Sequence, residues 1–397
     1  MLYLSYMKNM LIVLFILAAG AMGKAQDSTV KPFLVKTIGP LPYLEYGTGD
    51  DRLGGAKMTY LDTNVVLKVV DSAGTDYKVQ LSKYHIAYVS KANVAADSML
   101  RLSNENLSGS WMVSGEGKYD LVSISLPNRL PYKSVQQISP SRIVVDLYGV
   151  TSNTNWITQR GTSSFISSVW YEQPEDDVMR VFIELGKPVH WGYSIAYDSL
   201  GSRLQIKVKR PPESLRLRDM VIAIDAGHGG SNLGASGKNS KVLEKNLTLQ
   251  YAKALEKLLN QKGATVVMTR TTDADVTQPE RAALLRKAEP DVLISIHFNS
   301  SGNPAVSGTS TYYRYIGFQP LTQAILKRML ELNFNNYGNI GGFNFALSGP
   351  TEYPNCLVEV GFLSNEEEEK RMLKKGFDED VANKITRGIV DWLRAMD

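Results

Sequence analysis

The chain offers few side chains for demanding chemistry. Of its 397 residues, four are histidine and one is cysteine. Cys356 alone cannot form an internal disulfide or a thiolate metal cluster. A bound metal must therefore use imidazole and carboxylate ligands. Three segments place such groups beside apolar runs. Asp225-Ala226-Gly227-His228-Gly229-Gly230 follows the run that starts at Val221, His297 closes Leu293-Ile294-Ser295-Ile296, and Glu359 sits within Cys356–Val360. Imidazole nitrogen with carboxylate oxygen suits zinc better than a hard cation, and three protein ligands plus a water make a catalytic site.

Each residue also has a plain structural reading. A histidine between glycines can simply serve a turn. His297 at a strand end can be a hydrogen-bonded core residue. Glu359 is harder to set aside, because a buried carboxylate without a partner is expensive. Glu244, at the head of a helical stripe, alone says little, since carboxylates in a first turn favour the helix dipole. His85 and His190 lie in β-rich sequence beside apolar or aromatic residues and read as structural. Cys356 reads as a small buried hydrophobe. No G-x-S-x-G elbow, phosphate-binding Gly-Lys-Ser/Thr or H-E-x-x-H helix occurs.

The elements that must hold these groups fall into two grammars. From about 30 to 210 the pattern is β: Val65, Leu67 and Val69 alternate with Lys68, a turn at 71–76 follows, and Tyr77, Val79 and Leu81 resume. Similar alternation recurs at 122–126, 143–147, 181–185 and 204–208. These strands suggest two small sandwiches or barrels, with a seam across 104–117. Lys209-Arg210-Pro211-Pro212 then reads as a stiff linker. Beyond it, strands alternate with helices, as in an α/β layer with a mostly parallel sheet. The ligand-bearing segments end strands there, so they share the carboxyl rim where open parallel sheets bind ligands. The run Glu366–Glu369 followed by Lys370-Arg371 reads as a solvated helix without a function.

Composition narrows the partners. Hydrophobic residues make up 43% and charged residues 21%, ordinary globular values. Net charge is +4 with no polybasic block, which argues against nucleic acid. Lys8, the apolar run Met10–Met22 and the small residues Gly23 and Ala25 read as a signal peptide over 1–25, too short to span a bilayer. The mature protein is then exported, with no integral membrane anchor; a short N-terminal anchor is the alternative.

Four ordered motifs carry a resemblance: Ile224–Gly230, Glu244-Lys245-Asn246-Leu247, Ser295-Ile296-His297-Phe298-Asn299-Ser300 and Leu357–Asn365. Residues 218–397 resemble the zinc-dependent N-acetylmuramoyl-L-alanine amidases of the cell-separation and spore-lysis type. That resemblance implies Zn2+ on His228, Glu244 and His297, Glu359 as the catalytic glutamate, and hydrolysis of the amide joining N-acetylmuramic acid to the L-alanine of the stem peptide. It raises Glu244 from an unremarkable helix residue to a ligand. Asp225 is expected to orient His228 from behind. Residues 113–210, through Ile138–Leu147 and the run 166–208, are similar to the β-sandwich AMIN module that targets such enzymes to peptidoglycan. Residues 30–105 are weakly similar to SH3-like wall-binding barrels. The implied partner is peptidoglycan, with an activator protein a candidate, and the implied location is the periplasm or wall. Only 61 residues separate His297 from Glu359, which leaves no room for the inhibitory helix of regulated members. The rival readings are a zinc hydrolase that cuts another bond of the wall, and a wall-binding scaffold without activity.

Overall fold

Alternating apolar residues organise the first half of the chain into three antiparallel or mixed sheets. The computed structural model describes residues 31–49, 54–103 and 105–396; the expected signal segment 1–25 lies outside them. Seven strands between Phe33 and Ala96 pair antiparallel in one sheet. Val65, Leu67, Val69 and Val79 are buried, as the alternation requires. The turn is tighter than expected: the strands run to Ala73 and from Asp76, with a register shift between Val69 and Asp71.

Nine further strands between Trp111 and Lys209 form a four-stranded and a five-stranded sheet. Val122, Ile124, Ile143, Val145, Ile183 and Ile206 meet in one apolar cluster, which continues into Val35, Leu67 and Val79 of the first sheet. The two β parts therefore share a core. The expected seam is partly occupied by strand, Trp111–Glu116, because Trp111 and Val113 are buried. The basic pair at 209–210 is likewise no free linker. Lys209 Nζ donates to Asp291 Oδ1 (2.8 Å) and the Pro290 carbonyl (2.9 Å), and Arg210 donates to buried Asp120.

The α/β part contains strands β1 (Val221–Ala226), β2 (Thr265–Met268), β3 (Val292–Asn299), β4 (Thr309–Tyr312), β5 (Asn336–Ile340) and β6 (Asn355–Phe362). Its helices are α1 (Glu244–Gln261), α2 (Gln278–Ala288), α3 (Gln319–Met329), α4 (Glu366–Met372) and α5 (Phe377–Arg394). The sheet order is β2-β1-β3-β6-β4-β5, and each neighbouring pair is parallel except β6–β4. Ile222, Ile224, Ile294, Ile296, Val358 and Val360 pack against α1, α3 and α5. Ala223 and Leu293 face α2 instead. Side chains alternate along a strand, so Asp225, Ser295, His297, Leu357 and Glu359 belong to the α2 face. Among the described residues no helix is long and apolar enough to cross a membrane.

Candidate active site

β1 runs out at Ala226 into a loop whose glycines let side chains close on the backbone. A Cβ at Gly227 would fall 2.3 Å from Cε1 of His297, so the imidazole lies directly on that peptide. His228 adopts φ 61°, a left-handed conformation unusual for a residue with a side chain. Its Nδ1 lies 2.9 Å from Asn232 Oδ1, and its Nε2 lies 3.0 Å from Glu244 Oε1. Glu244 opens α1, where the helix dipole favours an anion. Its Oε1 also lies 3.2 Å from His297 Nδ1 and accepts from the Phe298 amide at 3.0 Å, while Oε2 accepts from the Ala235 amide at 2.7 Å.

Two imidazoles and one carboxylate thus converge. Their ligand atoms lie within 4.8 Å of one another, and His297 Nε2 is buried without a hydrogen-bond partner among the described residues. The donor set, two nitrogens and an oxygen, could hold one metal ion. Burial works to raise the Glu244 carboxyl, yet hydrogen bonds and charge from His228 and His297 hold it well below the usual range. Burial opposes a charged His297, but Glu244, with Glu359 and Asp225 behind it, raises the imidazole above its ordinary value. Glu359 stands opposite His297 in the parallel β3–β6 register and is half-buried on the same face.

Asp225 is buried and reaches His228 through Arg281 rather than by direct contact. Its Oδ1 accepts from Thr269 Oγ1 (2.7 Å) and Arg281 Nη1 (2.6 Å). Arg281 then carries the link forward, donating to the Ala226 carbonyl (2.8 Å) and the His228 carbonyl (2.6 Å). Arg270 donates to the Ala226 and Gly227 carbonyls, each at 2.9 Å. Two buried guanidiniums therefore hold the strained His228 turn from below, while Asn232 orients its ring. Sequence reasoning missed all three. A buried arginine on α2 leaves no local signature except the Asp that neutralises it.

The acidic run also departs from the sequence reading. Glu368 and Glu369 are 5% and 1% exposed. Glu369 accepts from the amides of Asn239 (3.0 Å) and Ser240 (2.9 Å), tying down the loop that delivers Glu244. Glu368 accepts from the Gly308 and Phe362 amides, both at 2.7 Å. Only Glu366 and Glu367 face outward, pairing with Lys370. The remaining readings hold in place: His85 Nδ1 lies 2.7 Å from Ser82 Oγ, His190 Nε2 lies 2.8 Å from the Gln137 carbonyl, and Cys356 is buried.

A mostly parallel sheet that brings His228, His297 and Glu359 to one rim, with Glu244 beside them at the start of α1, makes an α/β domain whose site could hold a metal. Comparison with known proteins agrees. Residues 222–391 match the family model described as N-acetylmuramoyl-L-alanine amidase, and residues 113–208 match the AMIN domain. The chain is 33% identical over 198 residues to the germination-specific N-acetylmuramoyl-L-alanine amidase of Bacillus subtilis, covering 45% of this chain and 82% of that protein. It is 25% identical over 358 residues to the amidase AmiC of Escherichia coli, covering 68% and 86%. The solved catalytic domain of CwlV, an amidase of Bacillus (Paenibacillus) polymyxa var. colistinus, shares 34% identity over 44% of this chain and 98% of that one, with a TM-score of 0.42. The chain belongs to the N-acetylmuramoyl-L-alanine amidase family and is a peptidoglycan hydrolase.

Proposed function

We propose that this chain is an exported zinc amidase that releases stem peptides from peptidoglycan, cutting between the lactyl carbonyl of N-acetylmuramic acid and L-alanine. The observation that carries this reading is the meeting of His228 and His297 on Glu244, with Glu359 opposite His297 on the next strand. His228, Glu244 and His297 would hold the zinc. Bound there, zinc would polarise the amide carbonyl and acidify a water. Glu359 accepts the proton of the attacking water and delivers it to the departing α-amine of L-alanine. Asn232 and Arg281 keep the His228 imidazole and its peptide in one orientation throughout.

The two family matches support two parts of the proposed division of labour, the AMIN-like sandwich and the catalytic domain. Residues 1–25 serve as the signal peptide, 113–210 as the AMIN-like wall-targeting sandwich and 218–397 as the catalytic domain, and 30–105 form an SH3-like β module. The enzyme then works in the periplasm or at the wall, with peptidoglycan as its partner and an activator protein as a candidate second one. Mass spectrometry of digested wall tests the bond directly. Free stem peptides beginning with L-alanine are expected; cuts within the stem, or loss of acetyl groups alone, would sink the amidase reading.

A further inference from the structure

Between β5 and β6 the chain lays two aromatic rings, Phe343 and Phe345, beside the site, and Tyr312 of β4 adds a third. The Phe345 ring stands edge-on to His297 at 5.5 Å. Phe343 lies 6.2 Å from Phe345 and 4.5 Å from Tyr312. Tyr312 shares the face of β4 that carries Ser310, the residue paired opposite Glu359, and Asn299 Nδ2 lies 3.4 Å from its hydroxyl. The rings thus form a row from His297 towards the strand of Glu359. Phe343 and Phe345 are only half-buried.

Asn344, between the two phenylalanines, reaches into the N-terminal β part. Its Oδ1 accepts from the Lys57 amide (3.2 Å) and Arg314 Nη1 (2.8 Å), and its Nδ2 donates to the Gly55 carbonyl (2.9 Å). Arg314 Nη2 donates to the Lys57 carbonyl at 2.6 Å, and its guanidinium lies 5.7 Å from the Tyr60 ring centre. Further along, a Cβ at Gly349 would fall 2.1 Å from the Tyr60 ring, so that ring rests on the loop backbone itself. The N-terminal β part grips the aromatic loop at both ends.

We propose that Phe343 and Phe345, backed by the buried Tyr312, form a subsite for the apolar face of a pyranose ring beside the scissile amide, and that the N-terminal β part sets its position through Asn344. This rests on the amidase reading above, in which a muramoyl sugar sits on the acyl side of the bond. An uncharged aromatic wall suits a sugar face better than it suits a charged stem peptide, because rings reward apolar contact and leave a carboxylate or ammonium unpaired. Arg314, on the strand-end loop beside them, is engaged in the clamp with Asn344 and Lys57. Asn344 is a positioning residue; the rings make the contact.

The test uses the full chain and a soluble muramoyl peptide. Asn344→Ala is expected to raise KM about tenfold with kcat within about twofold of wild type, and to leave metal content unchanged. Asn344→Asp keeps the acceptor and is expected to recover part of that loss. Phe345→Leu, which keeps apolar volume without the ring, is expected to raise KM comparably. A KM within about twofold of wild type for both Asn344→Ala and Phe345→Leu overturns the proposal. So does a loss confined to kcat or metal content, which marks a structural role. A wild-type chain that releases no stem peptide overturns the amidase reading itself, and the subsite with it.

Discussion

Replacing Arg281 with methionine removes the cation beneath the candidate metal site without changing the ligands. Arg281 and Asp225 are 3% and 1% exposed in their side chains and meet at 2.6 Å. Breaking one partner of such a buried pair costs about 3–5 kcal/mol, because the other charge stays behind unpaired. The same substitution strips the His228 carbonyl of its guanidinium donor. His228 holds φ 61°, a conformation that costs on the order of 1–3 kcal/mol and persists only when its surroundings enforce it. In a domain of this size each kcal/mol moves Tm by about 2–4 °C, so a fall of about 6–20 °C is expected. Zinc affinity should drop about 10- to 100-fold, as when a group that orients a ligand is lost. Calorimetric melting and metal titration read the two effects. The decisive comparison adds Asp225→Asn. The double variant should be less destabilised than the sum of the singles by roughly 0.5–3 kcal/mol, since the stranded carboxylate is then neutral. Strict additivity, or an Arg281→Met variant melting within about 2 °C of wild type, would refute the cradle.

Two further substitutions probe the supports. Glu369→Ala frees the amides of Asn239 and Ser240, so a loss of about 1.5–3 kcal/mol in stability is expected, together with weaker zinc binding as the loop before Glu244 loosens; thermal melts and metal titration check both. Asp120, buried in the sandwich, is driven upward by burial but held below its ordinary value by the Ile166 and Phe165 amides and by Arg210. A carboxylate with a depressed folded value contributes stability above its unfolded value of about 3.9 and loses it as pH falls through the folded one. Denaturant melts should therefore show the wild type weakening below about pH 4, whereas Asp120→Asn is weaker at neutral pH and flatter below it.

The site was legible where its residues end strands. His228 and His297 follow apolar runs, Glu359 sits near the end of a third, and the carboxyl-rim rule brings the three together from sequence alone. Glu244 was legible only through the family resemblance, because a first-turn glutamate looks the same whether it caps a dipole or meets two histidines. The supporting shell was invisible for a different reason. Arg270, Arg281 and Glu369 act on backbone groups tens of residues away, and nothing in their neighbours announces burial. The Glu366–Glu369 run misled because a charge run describes four residues at once, whereas the helix buries two and exposes two. β5 went unseen as well: Asn336-Tyr337-Gly338-Asn339-Ile340 is an edge strand of low β propensity. The docking of the three parts depends on Lys209, Asn344 and Tyr60, whose partners lie across the chain.

The most direct single measurement is metal content and muropeptide release determined side by side on wild type and Glu359→Ala. The expected result is a full complement of zinc in both proteins, with stem peptides released by the wild type and none by the variant. Near wild-type release by Glu359→Ala, or loss of zinc with the glutamate, would contradict the division between His228, Glu244 and His297 as ligands and Glu359 as the proton carrier.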